Sequence, residues 1–103
     1  MDLGLQNKII IVTGGSKGIG SGIVKVLAEE GALPIIIGRD QNSILQAVAE
    51  YKKNGFEVGY SFAELTDPKQ CEQSIQRIIE NYGVIHGLVN NAGINDGIGL
   101  QDG

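Results

Sequence analysis

The stretch KIIIVTGGSKGIG, Lys8 to Gly20, joins an apolar run to a loop that holds three spaced glycines, Gly14, Gly18 and Gly20. The continuous, mostly β-branched run from Lys8 to Thr13 suits a strand buried on both faces, as in a parallel sheet. Beyond the loop, Ile19, Ile23, Val26 and Leu27 recur at helical spacing, and Gly31 stands where a helix ends in left-handed geometry. Strand, glycine loop and helix follow one another directly.

The same alternation continues along the chain. Leu33 to Ile37 reads as a second apolar strand, in which Pro34 is tolerable at a strand start or edge. A helix follows, with Ile44, Leu45, Val48 and Tyr51 on one stripe and Gly55 at its stop. Phe56, Val58 and Tyr60 alternate as a third strand. Asp67, Pro68 and Gln70 read as an N-cap, a first-turn proline and a capping-box partner. The apolar face of the third helix is Cys71, Ile75, Ile78, Ile79 and Tyr82, closed by Gly83. Val84 to Val89 supplies a fourth strand. Strands alternating with helices over short connections imply right-handed crossovers and a parallel sheet. The expected fold class is α/β, a Rossmann-like doubly wound sheet of order 3-2-1-4 with three helices, incomplete at this length.

Bulk properties bound what this domain does. The 103 residues are 42% hydrophobic and 19% charged, an ordinary globular balance, and 16 glycines is about twice the usual share. A chain of this size buries roughly two-thirds of its unfolded surface, enough for one small core. The formal net charge of -4 comes without a basic cluster, so a nucleic-acid partner is not expected. The one cysteine, Cys71, excludes an internal disulfide and a clustered cysteine metal site, and reads as a small buried hydrophobe. No run approaches the ~20 apolar residues of a membrane span. MDLGLQNK lacks the apolar core of a secretory signal. A cytoplasmic protein with no membrane partner is therefore expected.

A glycine-rich turn at the carboxyl end of a buried strand lets the main chain approach a pyrophosphate, and the following helix directs N–H groups and partial positive charge toward it. In this reading Gly14 permits the tight turn, Gly18 the close approach at the helix start, and Gly20 the packing of helix on strand. A glycine triplet also serves in plain turns. Its placement between a buried strand and an amphipathic helix is what makes it a dinucleotide signal.

TGGSKGIG, Thr13 to Gly20, resembles the T-G-x-x-x-G-I-G motif of the short-chain dehydrogenase/reductase family, and NNAG, Asn90 to Gly93, resembles that family's second motif at the end of the fourth strand. Taken alone, NNAG would pass for a strand-end turn. The resemblance implies an NAD(P)-dependent oxidoreductase that moves a hydride between nicotinamide and a carbonyl or secondary alcohol. It implies that Gly14, Ser16, Lys17, Gly18 and Ile19 line the pyrophosphate and ribose, with Asn90, Ala92 and Gly93 on the adenosine-ribose and nicotinamide side. A homo-oligomer is also expected. The longer stretch NNAGINDGIGL looks like the sugar dehydrogenases of the family, the L-fucose type among them.

At the end of the second strand, where an acidic residue would hold the ribose 2′-OH, the sequence has Gly38 and then Arg39. Family members that use NADP commonly carry a basic residue here and another before the second loop glycine, which is Lys17 in this chain. A guanidinium grips phosphate bidentately and the ammonium adds a point charge, so NADP is the expected cofactor, with NAD as the alternative. In that alternative Arg39 is solvated and Asp40 reaches the ribose. At the end of the third strand the family usually has an Asp facing adenine; this chain has Glu64 and Leu65, one to substitute for it and one to pack on the ring.

The proton-donating Tyr of the family's Y-x-x-x-K pair has no match, because Tyr51, Tyr60 and Tyr82 are followed four positions on by Gly55, Glu64 and His86. His86 is the one histidine and lacks partners for a triad, so it reads as structural or merely exposed. No catalytic residue and no metal ligand is assigned. Residues 1–103 are expected to be the N-terminal part of a single NAD(P)-binding domain whose catalytic half is absent. Ile9 to Val12 and Ile35 to Ile37 are then expected to be partly bare, inviting association with another chain. A catalytically empty nucleotide-binding or regulatory module is the competing reading, and a purely structural domain a third.

Overall fold

Strands and helices alternate along the described residues, 4–91, of the computed structural model: β1 (Ile9–Thr13), α1 (Gly18–Glu29), β2 (Leu33–Gly38), α2 (Gln41–Lys53), β3 (Gly59–Phe62), α3 (Pro68–Tyr82) and β4 (Gly87–Asn90). All pairings are parallel and the order is β3-β2-β1-β4, as expected from the alternation. Pro34 is buried in a central strand, yet it costs no ladder bond. Leu33 N–H points to Lys8 O, just before β1, so the Pro34 nitrogen faces β3, whose pairing begins only at Ile35 opposite Gly59.

The two-residue period of β1 and β2 assigns the layers. Ile9, Ile11, Ile35 and Ile37 face α3 and pack with Ala63 and Ile78. Ile10, Val12 and Ile36 face the opposite side and pack with Val24 of α1 and Ile44 of α2. Both faces of the central strands are thereby covered. The expectation that Ile9–Val12 and Ile35–Ile37 would be partly bare is wrong, since each is at most 8% exposed. A single helix, α3, is enough to close its face because the sheet is narrow. Exposed apolar side chains do occur at the β4 edge, where Leu88 of β4 is 62% and Val84, three residues before the strand, 54% exposed.

Helix faces also differ from the simple stripes. In α1 the buried line is Gly20, Val24 and Ala28, while Ile19 and Val26 are exposed. Small residues at this spacing bring the helix axis close to the sheet, which turns its larger side chains outward. In α2, Ile44 is buried and Leu45 exposed. In α3 the centre is polar. Ser74 is fully buried, its Oγ 2.8 Å from Ser61 Oγ on β3, and Arg77 Nη2 donates to both hydroxyls at 3.1 and 3.2 Å. Ile79 and Tyr82 are correspondingly exposed. β3 buries Gly59 and Ser61 rather than Tyr60, and Phe56 and Val58 precede the strand; a Cβ at Gly59 would lie 2.8 Å from the Tyr82 hydroxyl of α3.

Helix ends follow local chemistry. Gly31, Gly55 and Gly83 take positive φ after α1, α2 and α3. Asp67 caps α3 by accepting from the N–H of Lys69 and of Gln70. Gln70 does not return a capping-box bond to the Asp67 N–H; its amide donates to the Asp67 carboxylate and accepts from Glu64 N–H. His86 is structural: its Nδ1 accepts from Ile9 N–H at 3.0 Å and its own N–H donates to Ile9 O at 2.8 Å, clamping the start of β4 to β1.

Two neighbouring substitutions in α2 separate the observed face from the sequence stripe. Ile44→Ala is expected to cost about 2–5 kcal/mol by opening a cavity beneath the helix. Leu45→Ala stays within about 0.5 kcal/mol, as a surface change does. Urea unfolding monitored by far-UV circular dichroism measures both.

Candidate functional site

The carboxyl ends of β1, β2 and β3 border a cleft of about 290 Å³, lined by Gly14, Ser16 and Lys17 of the glycine loop, Gly38, Arg39 and Asp40 after β2, and Leu65 after β3. This is the topological position at which open parallel sheets bind ligands. A larger groove of about 750 Å³ runs between α1 and α2 and shares Ser16 and Lys17, but its remaining wall is helix surface away from the strand ends. The smaller cleft is the one to which the backbone of the loop is presented.

Gly14 leaves β1 with φ +66 and its N–H bonds to Ile37 O, so the tight turn expected there is present. Gly18 has φ +56, and a Cβ added to it would meet nothing within 4 Å, so the cradle beside it is open. Gly20 packs α1 onto the strand ends, as expected. A Cβ there would collide with the Gly14 carbonyl after β1 and lie 2.5 Å from Asn91 Nδ2 after β4. Gly15 shares this task, since a Cβ there would lie 2.9 Å from Val24 Cγ2 and 3.2 Å from Val12 and Ile36.

The end of β4 is tied to this loop by Thr13. Its hydroxyl donates to Asn90 Oδ1 at 3.0 Å and accepts from Asn91 N–H at 2.9 Å, while Asn91 Nδ2 donates to Gly14 O at 3.4 Å. Asn91 is fully buried. Neither Thr13, Gly15 nor Asn91 was singled out from the sequence. A hydroxyl closing an otherwise apolar strand was the available signal for Thr13, whereas nothing in sequence distinguishes Asn91 from Asn90. Ala92 and Gly93 lie outside the described residues.

The three helix starts contrast. Asp40 caps α2 and Asp67 caps α3, but Lys17 precedes α1 with no side-chain bond to its first turn. The first N–H groups of α1 therefore point out of the helix end beside the open space at Gly18, with the positive end of the helix dipole behind them. This arrangement fits an anion, and the pyrophosphate of a dinucleotide has the charge and length to meet it. Ser16 is half-buried in the loop wall, and Ile19 is exposed on the first turn.

Charges at the rim are paired. Lys17 Nζ lies 3.3 Å from Asp40 Oδ2, and Arg39 Nη1 lies 3.2 Å from Glu64 Oε2. Asp40 thus serves as a cap, accepting from the Ser43 N–H and hydroxyl, rather than reaching freely for a ribose. These bonds, first the Ser43 hydroxyl, then its N–H and Lys17, lower the Asp40 pKa from 3.8 to about 2. Desolvation pushes the Glu64 carboxyl upward, but the Arg39 guanidinium and Thr66 outweigh it and hold it below the usual carboxylate range.

Two measurements test these placements. Gly20→Ala is expected to destabilise by about 1–3 kcal/mol through overpacking. Gly22→Ala, where a Cβ meets nothing within 4 Å, should stabilise the same helix by about 0.5–1 kcal/mol. Because the folded-state pKa of Asp40 is depressed, its contribution is complete above pH ~4 and is lost as pH falls toward ~2. Acid titration of thermal stability should show this loss in the wild type and a smaller one in Asp40→Asn, which keeps a capping oxygen without the titration.

Comparison with known proteins agrees with the geometry. Residues 8–102 match the family model described as short chain dehydrogenase. The chain is 38% identical over 91 residues to a 3-oxoacyl-(acyl-carrier-protein) reductase of Chlamydia muridarum, covering 87% of this chain and 37% of that protein. It is 37% identical over 93 residues to a 3alpha-hydroxysteroid dehydrogenase of Mediterraneibacter gnavus, covering 88% and 37%. The structure of L-sorbose reductase from Gluconobacter frateurii, solved with NADPH and L-sorbose, superposes with a TM-score of 0.83 at 30% identity, over 90% of this chain and 36% of that one. The chain therefore spans a little over a third of the length of these relatives. With the glycine loop, the strand order and the matched residues in agreement, the chain belongs to the short-chain dehydrogenase family.

Proposed function

We propose that residues 1–103 form the dinucleotide-holding part of a single NAD(P)-binding domain in an oxidoreductase that transfers a hydride between nicotinamide and a small-molecule carbonyl or secondary alcohol. The uncapped start of α1 beside the open space at Gly18 carries this reading, since it is built to receive an anion. Bound nicotinamide would supply the hydride. The chain's own residues bind and orient: loop and first-turn N–H groups take the pyrophosphate, Leu65 offers an apolar wall to adenine, and Asn90, fixed by Thr13, borders the ribose and nicotinamide side. Ala92 and Gly93 are put forward for the same side on the family motif.

NADP is the preferred cofactor in this proposal. Lys17 and Arg39 both line the cleft and would supply positive charge to an adenosine 2′-phosphate, and the sorbose reductase relative was solved with NADPH. The same relative supports a sugar substrate, whereas the named reactions of the Chlamydia and Mediterraneibacter relatives support an acyl or steroid one. The substrate class is accordingly a carbonyl or alcohol. We assign the protein to a reducing, cytoplasmic setting on its free thiol at Cys71, and self-association to the apolar edge that Leu88 and Val84 expose.

Fluorescence titration of the intact protein with NADPH and NADH tests the reading. NADPH should bind at least about tenfold tighter, the scale of one charge-assisted hydrogen bond set, and Arg39→Gln should remove most of the difference. Binding of neither cofactor would refute the proposal. Tight binding without turnover of any carbonyl would favour a nucleotide-binding module.

A further inference from the structure

Both cations at the cleft rim are held by carboxylates of the same chain, and the two pairs differ in kind. Besides Lys17, Asp40 accepts from the Ser43 N–H at 3.1 Å and the Ser43 hydroxyl at 2.8 Å, and it caps α2. Its position is fixed by the helix. Glu64 caps nothing. Its main chain is fixed by Gln70, whose Oε1 accepts from Glu64 N–H at 2.8 Å, but its carboxylate is engaged by the Arg39 guanidinium at 3.2 Å and the Thr66 hydroxyl at 3.3 Å. Arg39 in turn is 78% exposed and reaches from the end of β2 to the end of β3.

We infer that Glu64 is a specificity-determining residue, whose carboxylate competes with an adenosine 2′-phosphate for Arg39 and so narrows the preference for the phosphorylated cofactor. This rests on the dinucleotide reading above. A phosphate monoester brings close to two negative charges and matches a guanidinium bidentately, so it displaces a singly charged carboxylate. The displaced Glu64 then remains beside the phosphate as a like charge. An adenosine with a free 2′-OH leaves the Arg39–Glu64 pair intact and meets no such opposition. Asp40 has the same sign, but its carboxylate also takes the Ser43 N–H and hydroxyl at the start of α2, whereas Glu64 caps no helix, which makes Glu64 the position where preference is adjustable at little structural cost.

Glu64→Gln removes the charge and retains a side chain of the same length with an acceptor for Thr66. The probes are adenosine 2′,5′-bisphosphate and adenosine 5′-monophosphate, titrated calorimetrically into the intact protein and the variant. The ratio of bisphosphate to monophosphate affinity should rise about two- to fivefold in the variant, the range set by an exposed ion pair; taking the ratio cancels any contact that both probes make through adenine. In an Arg39→Gln background the same substitution should leave the ratio unchanged, which separates competition for Arg39 from a general reduction in negative charge. A ratio that is unchanged or lower in the variant, or a rise that persists without Arg39, overturns the inference and leaves the dinucleotide reading standing. Failure of both probes to bind the wild type overturns both.

Discussion

How closely α1 approaches the end of β1 governs the rest of the carboxyl edge. A methyl group at position 20 would meet the Gly14 carbonyl and the Asn91 amide, and one at position 15 would meet Val24, Val12 and Ile36. With hydrogen at both positions, the first turn of α1 lies directly over the strand ends. That placement puts Val24, and with it the α1 side of the core, onto Ile10, Val12 and Ile36. It also sets the distance from the helix start to the cleft. Lifting the helix to admit even one methyl would move these N–H groups away from the space they face and break the Asn91–Gly14 bond that carries the loop's position to β4. Packing and the anion cradle therefore share one steric condition.

Capping shows how stability and binding divide among the helices. An N-cap side chain typically contributes about 1 kcal/mol, and α2 and α3 each take an aspartate for it. The first turn of α1 forgoes this, since a carboxylate at its start would occupy the space an incoming anion needs and repel it. The helix is held instead by its buried face, Gly20, Val24 and Ala28, and by Gly31 at its end. Local rules are consistent at two helix starts and broken at the third, which is the pattern expected where a site interrupts a foldable sequence.

Element order and sheet order were legible because β1 and β2 are continuous apolar runs and the glycines close each helix in turn. Side-chain faces were less so. The stripes through Ile19, Val26 and Leu45 followed hydrophobicity, but the helices dock where small residues allow a close approach, and hydrophobic period carries no record of that distance. Ser74 illustrates the same limit. A serine at the centre of a buried face looks unfavourable until Ser61 and Arg77 satisfy it, and those partners come from different elements. In the site, Gly14 and Gly18 were readable from motif and placement, while Gly15 and Asn91 act only through neighbours that the topology brings to them. Asp40 was readable as a cap from Ser43 three positions on, but its nearness to Arg39 drew attention to the ribose instead.

The paired rim charges bear on affinity differently from the helix start. Exposed ion pairs contribute about 0–1 kcal/mol and are screened over about 8–10 Å at physiological salt. They are too weak to hold the loop in place, and the Gly14 N–H bond to Ile37 O and the Thr13 hydroxyl, which accepts from Asn91 N–H, do that without them. Their effect lies in keeping the rim nearly neutral while no anion is present. Two bare cations at the mouth would attract any small phosphate; two that are already paired yield only to a ligand that offers more charge and better geometry than a carboxylate. The main-chain cradle makes no such distinction, since every dinucleotide carries the same pyrophosphate. In the proposed reading, recognition of the class belongs to the backbone, and discrimination within it to a few exchangeable side-chain contacts at the rim.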